Sequence, residues 1–140
     1  QRLNGNWGDV ESAVRTQSTE LETAIQATWE IFSQDAFRKW NGIDFERRFN
    51  RAVFDVMIFY FRDTEIRTKA QESPELVIAE FKRLCEGSRP FRTAIETTTK
   101  SIGALSTRLQ LWGQSLSNVL QIPVTTPAID PTTGRIDLRP

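Results

Sequence analysis

Residues 44–63 read DFERRFNRAVFDVMIFYFRD, and this stretch decides the fold. From Ala52 to Phe61 the only residue that is not apolar is Asp55. A helix that is apolar on nearly all sides is covered by neighbours on several of them. The stretch therefore predicts a central helix over residues 44–63, with a polar and basic first half.

Four further helices are predicted before and after this one in the chain, because each segment has apolar residues at helical spacing and a start or end signal. Asp9 is the predicted N-cap of the first, and the fourth in chain order fades in the β-branched run Thr97-Thr98-Thr99. Together with the central helix they predict an all-α bundle of about five helices. The four additional spans are residues 9–32, 73–87, 88–95 and 101–121.

The composition changes abruptly after residue 121. Residues 122–140 hold four of the six prolines and four threonines, which excludes a helix there. The domain organisation is therefore a helical domain over 1–121 and an extended, Pro-rich tail over 122–140. Turn chemistry at 130–134 and the alternation of Arg135 to Leu138 make a hairpin or one edge strand plausible. The tail either packs on the bundle, pairs with another chain or is disordered.

Composition excludes several kinds of catalytic site. The chain has no histidine and one cysteine, so Ser-His-Asp and Cys-His catalysis, histidine-bearing zinc sites and an internal disulfide are ruled out. The carboxylates show no spacing typical of a metal site. Neither a metal nor a cofactor is therefore expected.

The chain also lacks an apolar run of the roughly 18 residues that span a bilayer. We therefore expect no membrane contact and a cytoplasmic location, which the lone Cys85 fits.

The 18 basic and 18 acidic residues sum to zero, but they are segregated along the chain. Residues 1–35 hold two basic and six acidic residues, whereas residues 38–69 hold eight basic and five acidic ones. Within the predicted central helix, Arg47, Arg48 and Arg51 would share one face. With Trp40 and Phe45 beside them, they suggest a patch that contacts phosphates. The candidate nucleic-acid-binding residues are Arg38, Lys39, Arg47, Arg48 and Arg51.

The alternative for this basic cluster is internal pairing with Glu46, Asp55 and the acidic first helix. Asp55 itself is expected to form a structural salt bridge with Arg51 or Arg62, rather than to act in acid–base chemistry. Cys85 lies on the apolar face of its helix and is expected to be a buried, inert thiol. Trp29 and Trp112 are expected in the core.

Three segments resemble the C-terminal helical region of GmrSD-type restriction-like proteins. They are Trp29-Glu30-Ile31-Phe32 with Asp35-Ala36-Phe37-Arg38-Lys39, then residues 47–55 (RRFNRAVFD), and then Phe91, Ala94, Ile95 and Thr99 with Arg108 and Leu116. The resemblance covers residues 7–121. It implies a helical accessory domain of a protein that defends against foreign or modified DNA.

In that family a ParB/sulfiredoxin-like domain at the N-terminus hydrolyses nucleotides. Its glutamine-arginine motif is absent here, so no catalytic residue is carried over. The chain begins at Gln1 rather than Met, and we expect the chemistry of the parent protein to lie in the preceding part.

Three hypotheses follow. The first is a non-catalytic accessory domain that contacts nucleic acid or the N-terminal domain of the parent chain. The second is a protein–protein or homo-oligomerisation domain that uses the last helix and the tail and has no role with nucleic acid. The third is an enzyme with Asp55 or Glu46 as acid–base group.

Overall fold

The apolar stretch forms the centre of a helical bundle, as predicted. The computed structural model describes the backbone of residues 2–96, 101–129 and 136–137, and the side chains of 11–13, 15–96 and 101–127. Within these residues the chain is all-α apart from one two-residue strand pair. The elements are α1 (Arg2–Phe32), a 3₁₀ turn (Ser33–Asp35), α2 (Arg51–Phe61), α3 (Thr64–Glu72), α4 (Pro74–Gly87), α5 (Arg89–Glu96), α6 (Ile102–Leu120), β1 (Ala128–Ile129) and β2 (Ile136–Asp137).

Helix α2 is the central helix and packs against α1, α3, α5 and α6. Its apolar residues are buried on more than one side, as expected for a segment that lacks a polar face. Trp112 of α6 is fully buried among them, as expected from the sequence. The buried residues of α2 are Val53, Val56, Met57, Ile58, Tyr60 and Phe61.

The predicted start of the central helix at residue 44 is wrong, because α2 begins at Arg51. Asn50 has an extended backbone (φ −113°), and its side chain accepts a hydrogen bond from the Val53 amide at 2.9 Å. An asparagine at this position satisfies an orphan N–H and ends the chain segment that precedes the helix. Residues 38–50 form a loop instead.

That loop, which we call the basic loop (residues 38–50), folds back on itself at Asn41-Gly42. Trp40 and Phe45 form an isolated antiparallel bridge. The side chain of Asn41 accepts hydrogen bonds from the amides of Ile43 and Asp44, both at 2.9 Å. Gly42 has φ +98°, a conformation that a side chain disfavours. Asn41 and Gly42 therefore form a tight turn within this loop.

Helix α1 is longer than the sequence predicts and begins at Arg2, so Asp9 is not its N-cap. Residues 11–13 and 15–19 are exposed, and burial begins only with the half-buried Glu20. Trp29 is 54% exposed, so its predicted place in the core is wrong. Ala24, Ala27 and Ile31 pack on the bundle in its place.

The tail packs on the bundle over residues 122–127. Ile122 and Pro127 are buried, and the Ser117 hydroxyl donates to the Ile122 carbonyl at 2.7 Å. Strands β1 and β2 then pair antiparallel, with Ala128 opposite Asp137. The hairpin alternative is thus the observed one. Its predicted turn at 130–134 and the fading run at Thr97–Thr99 lie outside the described residues.

Candidate nucleic-acid interface

The five predicted site residues lie on the basic loop and at the first position of α2, and the structure separates them into paired and unpaired groups. Lys39 is paired: its side chain is only 12% exposed, and its Nζ lies 2.7 Å from Glu96 and 3.7 Å from Glu46. Lys39 thereby ties the basic loop to α5. Arg38 is half-buried.

Arg51 is also paired, with its own helix neighbour. Its Nε lies 3.0 Å from Asp55, and its guanidinium lies 5.8 Å from the centre of the Phe54 ring. The predicted Arg51–Asp55 salt bridge is therefore confirmed. Arg62, the other predicted partner of Asp55, pairs with Glu20 of α1 at 3.3 Å. Because the Arg51 side chain is 77% exposed, this pair is a weak surface one.

Arg47 and Arg48 are exposed, and neither forms an ion pair within the described part of the chain. They precede α2, so the prediction that they share a helical face with Arg51 is wrong. The reason is the cap at Asn50, which starts the helix after them. They are presented by the basic loop instead.

The aromatic neighbours also differ from the prediction. Trp40 is used in packing: its Nε1 donates to Glu86 at 2.6 Å, and the Lys82 ammonium lies 4.3 Å from its ring centre. Phe49 is the aromatic residue that stays accessible. It is 60% exposed and packs edge-on against Phe37 at 6.1 Å.

A groove of about 980 Å³ opens beside these residues, where the basic loop, α2, α5 and α6 meet. We call it the Arg108 groove, after the buried arginine that α6 contributes to its lining. Four further side chains that line it are paired with one another or with Lys39. The lining residues used below are Arg48, Arg51, Asp55, Glu96, Ser101 and Arg108.

Arg108 is only 6% exposed, which is unusual for a guanidinium. Its Nη1 donates to the Ala94 carbonyl at 3.3 Å, and its Nε–H has no hydrogen-bond partner within the described residues. Burial lowers the pKa of Arg108, while the charge of Asp55 opposes that shift. Sequence reasoning missed this residue, although its position three residues after Leu105 and four before Trp112 placed an arginine on a core-facing stripe.

The described residues give little support to a catalytic or metal-binding site. They contain no group of three or more potential metal-ligating side chains. Cys85 is buried as expected, and burial raises the pKa of its thiol to about 11. Within the same residues, no helix combines the length and apolarity needed to cross a membrane.

No family model matches the chain, and comparisons with curated proteins and with solved structures find no similar protein. The resemblance to GmrSD-type proteins therefore depends on the sequence pattern alone.

Proposed function

We propose that this chain is a non-catalytic helical accessory domain that contacts the phosphate backbone of nucleic acid through its basic loop. The observation that carries the proposal is the pair Arg47 and Arg48, both exposed and without an ion pair in the described residues. The resemblance supports a place for it in a cytoplasmic, restriction-like defence protein, beside a nucleotide-hydrolysing N-terminal domain.

The geometry supports a phosphate-contacting role for some of the five candidates more than for others. Arginine side chains bind phosphates through several N–H groups in a fixed fork. Arg47 and Arg48 have these groups free of protein acids, and Phe49 adds an exposed ring on which a base can stack. Lys39 has a structural role instead, because two carboxylates already hold it.

The test is the salt dependence of DNA binding. Binding of a short single-stranded and a short duplex DNA is followed by fluorescence anisotropy between 50 and 200 mM KCl. Each phosphate contact contributes about 0.7 (single strand) to 0.9 (duplex) to the slope of log K against log salt, so R47Q/R48Q should lower it by about 1.4 to 1.8.

The charge-matched control is R15Q/R83Q, which removes two arginines from surface ion pairs elsewhere. It should leave the slope near that of the unmodified chain. An equal loss of slope in both double variants, or no binding at 50 mM KCl, would refute the proposal.

A second candidate function is self-association, and one observation favours it. The apolar face of α6 and the tail residues Ile122 and Pro127 pack on the bundle, so these side chains are not available to a partner. In α1, by contrast, the described side chains at 11–13 and 15–19 are exposed. Val10, Val14, Gln17 and Leu21 follow the 4-3-4 spacing of a coiled-coil seam.

The occupant that this seam fits is a second copy of the chain, in parallel. A single polar residue in such a seam selects register, and Gln17 would pair with itself. Sedimentation mass tests this: the unmodified chain should form a dimer, and L21D should be monomeric. L76D is the control, since Leu76 is 49% exposed on α4, away from the seam. A monomeric unmodified chain would exclude this function.

A further inference from the structure

The contacts among the described residues do not explain the buried guanidinium of Arg108. Arginine stays charged in proteins and presents five N–H donors. In the described residues one hydrogen bond, to the Ala94 carbonyl, is formed, and the buried Nε–H is unsatisfied. A buried donor left without a partner costs about 1 to 3 kcal/mol, and more for a charged group. If this position contributed only to packing, an apolar side chain would stabilise the fold more than arginine does.

The carboxylates of the groove compensate this charge only in part, since Asp55 stabilises the guanidinium from beyond salt-bridge distance. Asp55 pairs with Arg51 at 3.0 Å, and Glu96 pairs with Lys39 at 2.7 Å. In the described residues none of them lies within salt-bridge distance of Arg108. The groove lining contains four cationic and three anionic side chains, which leaves one net positive charge.

A second positive feature faces the same groove. Ser101 lines it, and this residue caps α6 by accepting from the Ala104 amide at 3.1 Å. The N-terminus of a 19-residue helix carries partial positive charge, which favours an anion. Arg48, exposed at the mouth, adds a further cation within the lining.

We propose that the Arg108 groove is a binding site for a phosphate group, held by the guanidinium of Arg108, which lines the groove, and by Arg48. The proposal rests on the proposed function for the source of that group, which is the backbone of the nucleic acid on the basic loop. The volume of about 980 Å³ accommodates a phosphate together with its sugar. The site would fix one phosphate in position, while the exposed arginines contact its neighbours.

The first probe is inorganic phosphate, titrated into the full chain by calorimetry, with chloride at equal ionic strength as the reference. We expect saturable binding to one site. R48Q should weaken it at least five-fold, and R108K, which keeps the charge but loses the planar fork of guanidinium donors, at least ten-fold. R15Q, which removes an arginine from α1, should not change the affinity.

Two variants keep the test decisive, since a buried arginine could be needed for folding. Arg48 is exposed, so R48Q should fold normally, and circular dichroism checks both proteins. Unchanged phosphate affinity in folded R48Q and R108K, or no saturable binding, would overturn the site and indicate a structural role for Arg108.

A second probe, a single-stranded oligonucleotide, separates this proposal from the proposed function. If the oligonucleotide binds but phosphate does not, the groove proposal fails and the nucleic-acid function stands. If phosphate binds but no oligonucleotide does, the groove is a site for a small anion and the nucleic-acid function fails. Competition of phosphate with a bound oligonucleotide would support both.

Discussion

Asn50 makes two hydrogen bonds at the point where the basic loop becomes a helix. Its Oδ1 accepts from the Val53 amide, and its Nδ2 donates to the Ile95 carbonyl at 2.9 Å. The first bond caps α2, and the second holds α5 against the same end. One side chain thus fixes both the start of the helix and one wall of the Arg108 groove.

N50A should therefore destabilise the fold by about 2 kcal/mol, of which about 1 kcal/mol is the cap and about 1 kcal/mol the bond to Ile95. N50D is the matched control, because aspartate still caps the helix but cannot donate to the carbonyl. It should lose only about half as much. Urea unfolding measures both free energies. Equal losses in the two variants would mean that the cap contributes nothing.

Cys85 gives the fold a sensitivity to alkaline pH. Burial raises the pKa of its thiol from the usual 9.0 to about 11, so the unfolded chain releases this proton first. The contribution of this thiol to the free energy of unfolding should be constant below pH 9 and fall between pH 9 and 11, by up to about 1.4 kcal/mol per pH unit. Urea unfolding at pH 8, 9 and 10 measures this loss. In C85A the fall should be smaller, although Tyr60, whose pKa burial also raises, contributes above pH 10.

At the scale of elements, helices with clear punctuation could be predicted from the sequence. Ser73-Pro74-Glu75 marks the start of α4, and Ser101 caps α6 as its position suggests. Helix α3 was missed because only Ile66 and Ala70 are buried in it, too few to show a period. The start of α3 is marked by a polar residue instead, since Asp63 caps the helix by accepting from the Ile66 amide at 3.0 Å.

The start of α2 could not be predicted for a different reason. Residues 44–50 have charges and aromatics at helical spacing, so their pattern does not distinguish a helix from a loop. Two backbone hydrogen bonds to the preceding segment hold these residues in a loop. The Glu46 N–H donates to the Lys39 carbonyl at 2.9 Å, and the Asn50 N–H donates to the Phe37 carbonyl at 2.8 Å. A helix over 44–50 would use the Asn50 donor within itself, whereas the Glu46 donor would lie among the first four N–H groups, which have no acceptor in the helix. Tertiary pairing therefore overrides the local pattern.

Helix α6 carries two glycines with opposite expected behaviour. A Cβ at Gly113 would collide with the Tyr60 hydroxyl, which donates to the Leu109 carbonyl at 2.6 Å. A Cβ at Gly103 would meet nothing within 4 Å. G103A should stabilise the fold by about 0.5 to 1 kcal/mol, the gain in helix propensity.

G113A should instead destabilise it by about 1 to 3 kcal/mol, because overpacking outweighs the same gain. Thermal unfolding of the two single variants measures the difference. If G113A were as stable as G103A, α6 and α2 would be packed less closely than the structure has them.

At the scale of the whole molecule, the sequence could indicate where the charge lies but not how it is arranged. The basic region around residues 38–51 was identifiable by counting, and it does carry the exposed Arg47 and Arg48. The Arg108 groove could not be identified by counting, since its walls come from the basic loop, the end of α5 and the start of α6. The sequence around Arg108 does not indicate that Glu96 pairs with Lys39 and that Asp55 pairs with Arg51.

The side chains described before Glu20, at 11–13 and 15–19, are exposed, although α1 begins at Arg2. Because such exposed side chains contribute little, we expect removal of residues 1–18 to change the free energy of unfolding of the monomer by less than about 0.5 kcal/mol. I31A is the contrast in the same helix: Ile31 is 4% exposed, and its truncation should cost about 2 to 4 kcal/mol. Urea unfolding at low protein concentration measures both. A loss on deletion as large as that of I31A would show that the first half of α1 packs on the bundle.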